Sequence, residues 1–325
     1  MTLPVRRVAV AVVSVVSVVL VSTGGAGAVN ARHLPGTSCS AFPANNVWHA
    51  SIADLPVNRH SADWVRHIGG GNLHPDFGPS YGEQPVPYGI PITYVSGSHP
   101  KVHVKFQYAA ESDRVGYPLG SDTLVEGGRQ AGNDGDRHAI VVDRSACRVY
   151  ETWHTRKKSG GWSAGSGATW SLKSNKLRPK GWTSADAAGL PILPGLLRYD
   201  EVDAGFVDHA IRFTAPVSSR HYLWPARHQA GSQSSLSYPP MGARFRLKAG
   251  FPIAGYSAAT RVVLQAMKTY GLILADNGSS WYFQGEASVK WPDKMISELK
   301  TIPGSAFEAV DESSLQVSSG SARVS

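Results

Sequence analysis

The chain has 325 residues, with 32 Lys and Arg against 24 Asp and Glu and a formal charge of +8 when histidine is neutral. That length allows one large β domain or two small ones. The mildly basic balance favours an acidic surface or substrate over a cationic one. No dense Lys/Arg stripe is interleaved with stacking aromatics, which argues against a nucleic-acid partner.

Residues 1–28 read as a secretory signal peptide. Arg6 and Arg7 form a short positive region, and Val8 to Val21 is a 14-residue run of Val, Ala and Leu broken only by Ser14 and Ser17. Ala26-Gly27-Ala28 supplies a small-residue cleavage site. The run is short of the ~20 residues needed to cross a bilayer, so no stable membrane anchor is expected. The paired arginines leave the route, Sec or twin-arginine, open. The remainder is predicted to be a secreted, extracellular protein. Its two cysteines, Cys39 and Cys147, are expected to form a disulfide, as paired cysteines do outside the cytosol.

Over the whole chain, 34 Gly, 21 Pro, 9 Trp and 12 Tyr occur, most of them scattered among short β-branched runs. The pattern predicts a mainly β fold, a β-sandwich or jelly-roll-like single domain over 29–310 with a few peripheral helices. A helix is expected at 61–68. Strands follow at 101–108, 138–142, 147–153, 209–214, 221–224, 243–248 and 280–284. A helix at 257–270 starts at Ser257 as cap and stops at Gly271, and another covers 293–300 after Pro292. The Ser-rich segment 311–325 is expected to be a flexible tail. Oligomeric state is not specified by these patterns.

Familiar motifs are weak here. Gly161-Trp-Ser-Ala-Gly165 matches G-x-S-x-G, but a hydrophilic loop precedes it and poor helix former follows, so a nucleophile elbow is not expected. The turn at 130–136 loosely resembles a calcium loop without its closing glutamate and reads as a solvated turn. H-E-x-x-H, C-x-x-C, a P-loop and a dinucleotide fingerprint are all absent from the sequence, so neither a cofactor nor a metal is expected. Arg244, Arg246 and Lys248 alternate with Phe245 and Leu247, which reads as a solvated strand face or a groove for an anionic polymer.

Ionisable side chains, aromatics and loop glycines coincide in a few segments. Asp136 and His138 flank the start of one strand, and Glu151 and Trp153 share a face of the next. Asp186 is the one carboxylate of a long uncharged loop at 181–195, and long loops are often functional. Asp200, Glu201, His209, Arg212 and His228 complete the candidate catalytic set. Asp200 and Glu201 could also be a strand-end pair holding Arg198 or Arg212. Trp153, Trp170, Trp182, Tyr199 and Trp224, with Asp276 and Asn277, are candidate substrate-binding residues.

Paired carboxylates with sugar-stacking aromatics suit glycoside hydrolysis of an extracellular polysaccharide. The alternative enzyme is a polysaccharide lyase, in which an Arg neutralises a uronic acid and a His or Tyr removes the adjacent proton. The remaining alternative is a non-catalytic carbohydrate-binding or cell-surface module. Residues 181–191, 198–202, 209–214, 224–228, 239–244 and 275–281 together resemble a group of uncharacterised secreted bacterial proteins. The resemblance runs from about Asn46 to Asp311. It implies export, and no activity, cofactor or catalytic residue.

Overall fold

The computed structural model describes residues 32–80, 88–128 and 135–325. The expected leader and residues 130–134 of the 130–136 turn lie outside the described residues.

The architecture is mainly β, with thirteen described strands in three mixed sheets and four short α-helices. The strands are β1 (His74–Asp76), β2 (Ile92–Val95), β3 (Val104–Phe106), β4 (Ala139–Asp143), β5 (Arg148–Trp153), β6 (Arg156–Lys158), β7 (Gly161–Ala164), β8 (Ser166–Ser171), β9 (Ile211–Ala215), β10 (Arg244–Leu247), β11 (Leu272–Asn277), β12 (Tyr282–Gln284) and β13 (Phe307–Val310). The helices are α1 (Ser61–Ile68), α2 (Tyr199–Asp203), α3 (Ala258–Thr269) and α4 (Asp293–Leu299). Six strands form one sheet in the order β1-β12-β9-β11-β10-β13, four form a second in the order β2-β4-β5-β8, and β3-β7-β6 form the third. Each sheet contains both parallel and antiparallel pairs.

Two apolar clusters hold the larger sheets. Ile211, Phe213, Phe245, Leu272 and Leu274 pack with Trp48, Trp64 and Trp281 and with Val263, Leu264 and Met267 of α3. Burying each such side chain stabilises the fold by about 1.5–3 kcal/mol. Ile140, Val142, Val149, Ala168 and Trp170 pack with Cys39 and Cys147. The two cysteines form the expected disulfide, closing a sequence separation of 108 residues. The 181–195 loop lies between these clusters: Ala185, Ile192 and Leu193 enter one, Ala188 and Leu190 the other. It is therefore a buried bridge between sheets, which its low charge allows.

Several expectations need correction. Residues 221–224 make only an isolated bridge, Tyr222 to Met241, and no strand. The Ser257 hydroxyl donates to Glu298 of α4 at 2.6 Å and lies 2.9 Å from Thr260 Oγ1, and it caps no backbone N–H of its own helix. Asp200 and Glu201 lie on α2, not at a strand end. Of the Arg244, Arg246 and Lys248 face only Lys248 is exposed. Arg244 is buried, pairs with Glu312 at 3.3 Å and donates to the Val47 and Ala50 carbonyls. Arg246 pairs with Glu308 at 2.9 Å and donates to three carbonyls of 52–55. Residues 311–325 are hydrogen-bonded to the body of the protein: the Ser321 carbonyl accepts from Trp224 Nε1, and the Ser319 carbonyl from Arg227.

Candidate functional site

A cleft of about 340 Å³ opens beside the 181–195 loop. Six of the residues singled out in the sequence line it: Asp136, Trp153, Asp186, His228, Asp276 and Asn277. Tyr108, Glu111, Ser166, Thr183 and Ser184 also line it and had no signal as site residues. Their only clue was position, next to a strand or on the long loop.

The floor is built by a buried ion pair. Arg212 of β9 donates to Asp186 through Nε at 2.9 Å and Nη2 at 2.7 Å. Both side chains are essentially inaccessible. Burial opposes the Arg212 charge, but Asp186 outweighs it and holds the guanidinium firmly protonated. The bidentate geometry matches the fork of the guanidinium to the carboxylate.

A β-bulge aims the next residue. In the parallel pairing of β11 with β9, Ile273 faces Arg212 and Leu274 faces Phe213, but Asp276 then faces Thr214. The extra residue moves Asp276 onto the Arg212 face; in an unbulged register it would share the face of Phe213 and the core. The Ala275 carbonyl freed at the bulge accepts from Ala188 N at 2.8 Å, tying the long loop to the sheet. Asp276 Oδ2 ends 3.9 Å from Arg212 Nη2, with about a quarter of the side chain exposed. Burial and the neighbouring Asp186 charge raise its pKa to about 7, against the pull of Arg212. Asn277 is occupied: its amide donates to Ala230 O at 2.6 Å and its oxygen accepts from Ser218 at 2.7 Å.

Opposite elements supply a wall of aromatic and acidic groups. Trp153 Nε1 donates to Asp136 at 3.0 Å, and the Trp153 and Tyr108 rings lie 6.4 Å apart. Gly165 is required here because a Cβ would stand 2.2 Å from the Trp153 ring. That accounts for the last glycine of the G-x-S-x-G match, whose Ser163 lies within β7 and not on a strand-to-helix turn. Arg137 and His154, both with left-handed backbone (φ 52° and 56°), flank this wall. Thr155 N donates to Arg137 O and His154 N to Asp136 O, locking the two turns together. Non-glycine residues held at positive φ cluster at functional sites.

His138 lies just below the cleft. Its Nδ1 is 2.7 Å from Glu126, and its buried Nε2 has no partner among the described residues. Burial disfavours its charge, but Glu126, by charge and hydrogen bond, and Asp136 outweigh that and raise its pKa to about 9. The imidazolium faces the charges of Asp186 and Asp276. His228 donates from Nδ1 to Ala187 O at 2.9 Å, which in the neutral ring leaves Nε2 as the acceptor.

Other candidates fall elsewhere. Glu151 is buried beneath the loop, accepting from Ile192 N and Leu193 N at 2.8 Å each; burial pushes its pKa up to about 7. Glu201 is buried with Arg198 and with His209, whose Nε2 is 3.0 Å away, in a cluster apart from the cleft. Burial and the Arg198 charge push His209 down to about 4. Asp200 does not line the cleft. Trp170 and Trp182 line a separate groove, Tyr199 packs on Trp291 and Trp224 on the C-terminal segment. Among the described residues no group of three or more His, Cys, Asp or Glu could hold a metal ion, and no helix is long and apolar enough to cross a membrane.

Compared with family models, with curated proteins and with solved structures, the chain matches none.

Proposed function

We propose that the protein is a secreted, carbohydrate-active hydrolase with a sandwich-like β scaffold, and that the Asp136–Asp276 cleft cleaves a glycosidic bond in an extracellular polysaccharide. One observation carries the reading: Asp276, raised to about 7, shares a cleft with Asp136 and with the Tyr108–Trp153 wall. A carboxyl group still partly protonated near neutral pH can donate its proton to the leaving oxygen as the carbon–oxygen bond breaks. Asp136 serves as the partner carboxylate, acting as nucleophile or activating the water that adds to the sugar carbon. The aromatic wall offers a face to the sugar C–H groups. The Cys39–Cys147 disulfide supports function outside the cytosol.

The cleft is acidic, and its nearest arginine is engaged by Asp186. This favours hydrolysis at a bond between neutral or amino sugars over β-elimination on a uronic acid, which needs a cation free to neutralise the substrate carboxylate. The test is a reducing-end assay on a panel of neutral, amino-sugar and uronic-acid polysaccharides with the intact protein and Asp276→Asn and Asp136→Asn. Hydrolysis that both substitutions abolish supports the assignment. Unsaturated ends absorbing in the ultraviolet would identify a lyase instead. Binding through Trp153 with no cleavage of any polymer would identify a binding module.

A further inference from the structure

A second, larger groove lies on the other side of the 178–186 segment. It has a volume of about 640 Å³, and Arg148, Lys176, Arg178, Trp170 and Trp182 line it with Asp113 and several hydroxyl groups. Arg178, Pro179 and Trp182 belong to this groove, while Thr183 to Asp186 belong to the cleft. One short stretch of chain thus separates the two.

The charges of the groove are unevenly committed. Arg178 is engaged at all three nitrogens: it donates to Asp113 at 2.7 Å and to the carbonyls of Thr183 and Glu111 at 2.8 Å each. It is stacked between Trp170 and Trp182, 5.6 and 5.5 Å from their ring centres. Asp113 is neutralised by it and also accepts from Thr169 N at 2.8 Å. Arg148 and Lys176 remain. Neither has an ion-pair partner among the described residues, and the one side-chain bond of Arg148 is a 3.5 Å contact to Thr169 Oγ1. β-pairing sets Arg148 opposite Ser171, adding a second hydroxyl beside the guanidinium. The groove therefore presents two uncompensated cations, hydroxyl donors and a half-buried Trp182 ring held rigid by Arg178.

We propose that this groove is a binding subsite for an anionic glycan, with a carboxylate or sulfate substituent on Arg148 and Lys176 and a sugar face on Trp182. Guanidinium and ammonium groups recognise such oxyanions directly. A rigid aromatic ring adds contact area at little conformational cost. The acidic cleft and the basic groove, set on two sides of one segment, then select a polymer whose anionic substituents lie away from the bond presented to Asp276.

Affinity electrophoresis in gels containing polygalacturonate, dextran sulfate or neutral dextran tests this. The intact protein is expected to be retarded by an anionic polymer and not by dextran, with retardation falling as salt rises. Polygalacturonate retardation assigns the carboxylate, and retardation by dextran sulfate alone assigns the sulfate ester. Lys176→Glu, at an exposed position, and Arg148→Gln should each weaken binding about tenfold or more. Lys105→Glu with Lys158→Glu, on the exposed face of the three-stranded sheet, should leave it unchanged. No retardation by either anionic polymer, equal loss in the sheet variant, or stronger retardation by DNA would overturn the subsite. Asp276→Asn is expected to bind normally, so failure of the hydrolase reading and failure of the subsite are read separately.

Discussion

Arg212 and Asp186 form a two-point ion pair, 2.9 and 2.7 Å long, sealed beneath the cleft. The pair joins the six-stranded sheet to the 181–195 loop and sets the charge against which Asp276 titrates. Removing one member leaves the other charge buried without a partner, which typically costs about 3–5 kcal/mol. Asp186→Ala should therefore be destabilised by that amount in urea unfolding. Asp186→Leu combined with Arg212→Met should lose less than either change alone. A single substitution as stable as the parent would mean the pair is not closed in solution.

The position of Asp276 fixes an expected pH profile. With its pKa raised to about 7, the acid form is present below that value and disappears above it. kcat/KM for hydrolysis should fall along a basic limb centred near pH 7. Asp276→Asn should lower kcat/KM by about 10²–10⁴ and flatten that limb. A wild-type rate that stays level from pH 6 to 9 would remove Asp276 from the acid role.

His138 and Glu126 predict a second pH effect, on stability. The folded-state pKa is raised from 6.5 to about 9, so the folded protein holds this proton more tightly than the unfolded chain. The stabilisation is complete below about pH 6.5 and is lost as pH rises through about 9, on the order of 3 kcal/mol. Unfolding midpoints measured at pH 6.5 and 9 should show the loss. Glu126→Gln should remove most of the difference, because the charge that retains the proton is gone.

The disulfide between Cys39 and Cys147 closes a long loop. Loop entropy for about 100 residues corresponds to roughly 4–5 kcal/mol of stabilisation. Cys39→Ser with Cys147→Ser should lower stability by up to that amount, and reducing agent should do the same to the intact protein. Thermal unfolding with and without reductant gives the comparison.

The C-terminal segment supplies Glu312 to the buried Arg244 at 3.3 Å. Truncation after Asp311 would strand that guanidinium inside the protein. The shortened protein should be less stable by about 3–5 kcal/mol, and Glu312→Gln should recover part of the loss because its amide oxygen still accepts a hydrogen bond. Chemical denaturation of the three proteins ranks them.

Local pattern determined a good part of this molecule. The 61–68 helix lies at Ser61–Ile68, where Trp64 and Ile68 recur at helical spacing and turn inward. The strands through Val141, Val149, Phe213 and Phe245 lie where β-branched and aromatic runs predicted them, and the lone pair of cysteines left one partner each. The sequence also drew attention to Asp136, Trp153, Asp186, His228 and Asp276, which share one cleft. It could not separate them from Glu151, Glu201 and His209, because a carboxylate that fastens a loop and one that faces solvent read alike along the chain. Only the tertiary structure decides that. A one-residue bulge turns Asp276 out of the core, Arg212 neutralises Asp186, and two backbone N–H groups engage Glu151. These are contacts between residues far apart in sequence, set by register and burial, and neither register nor burial of a polar group is encoded in its immediate neighbours.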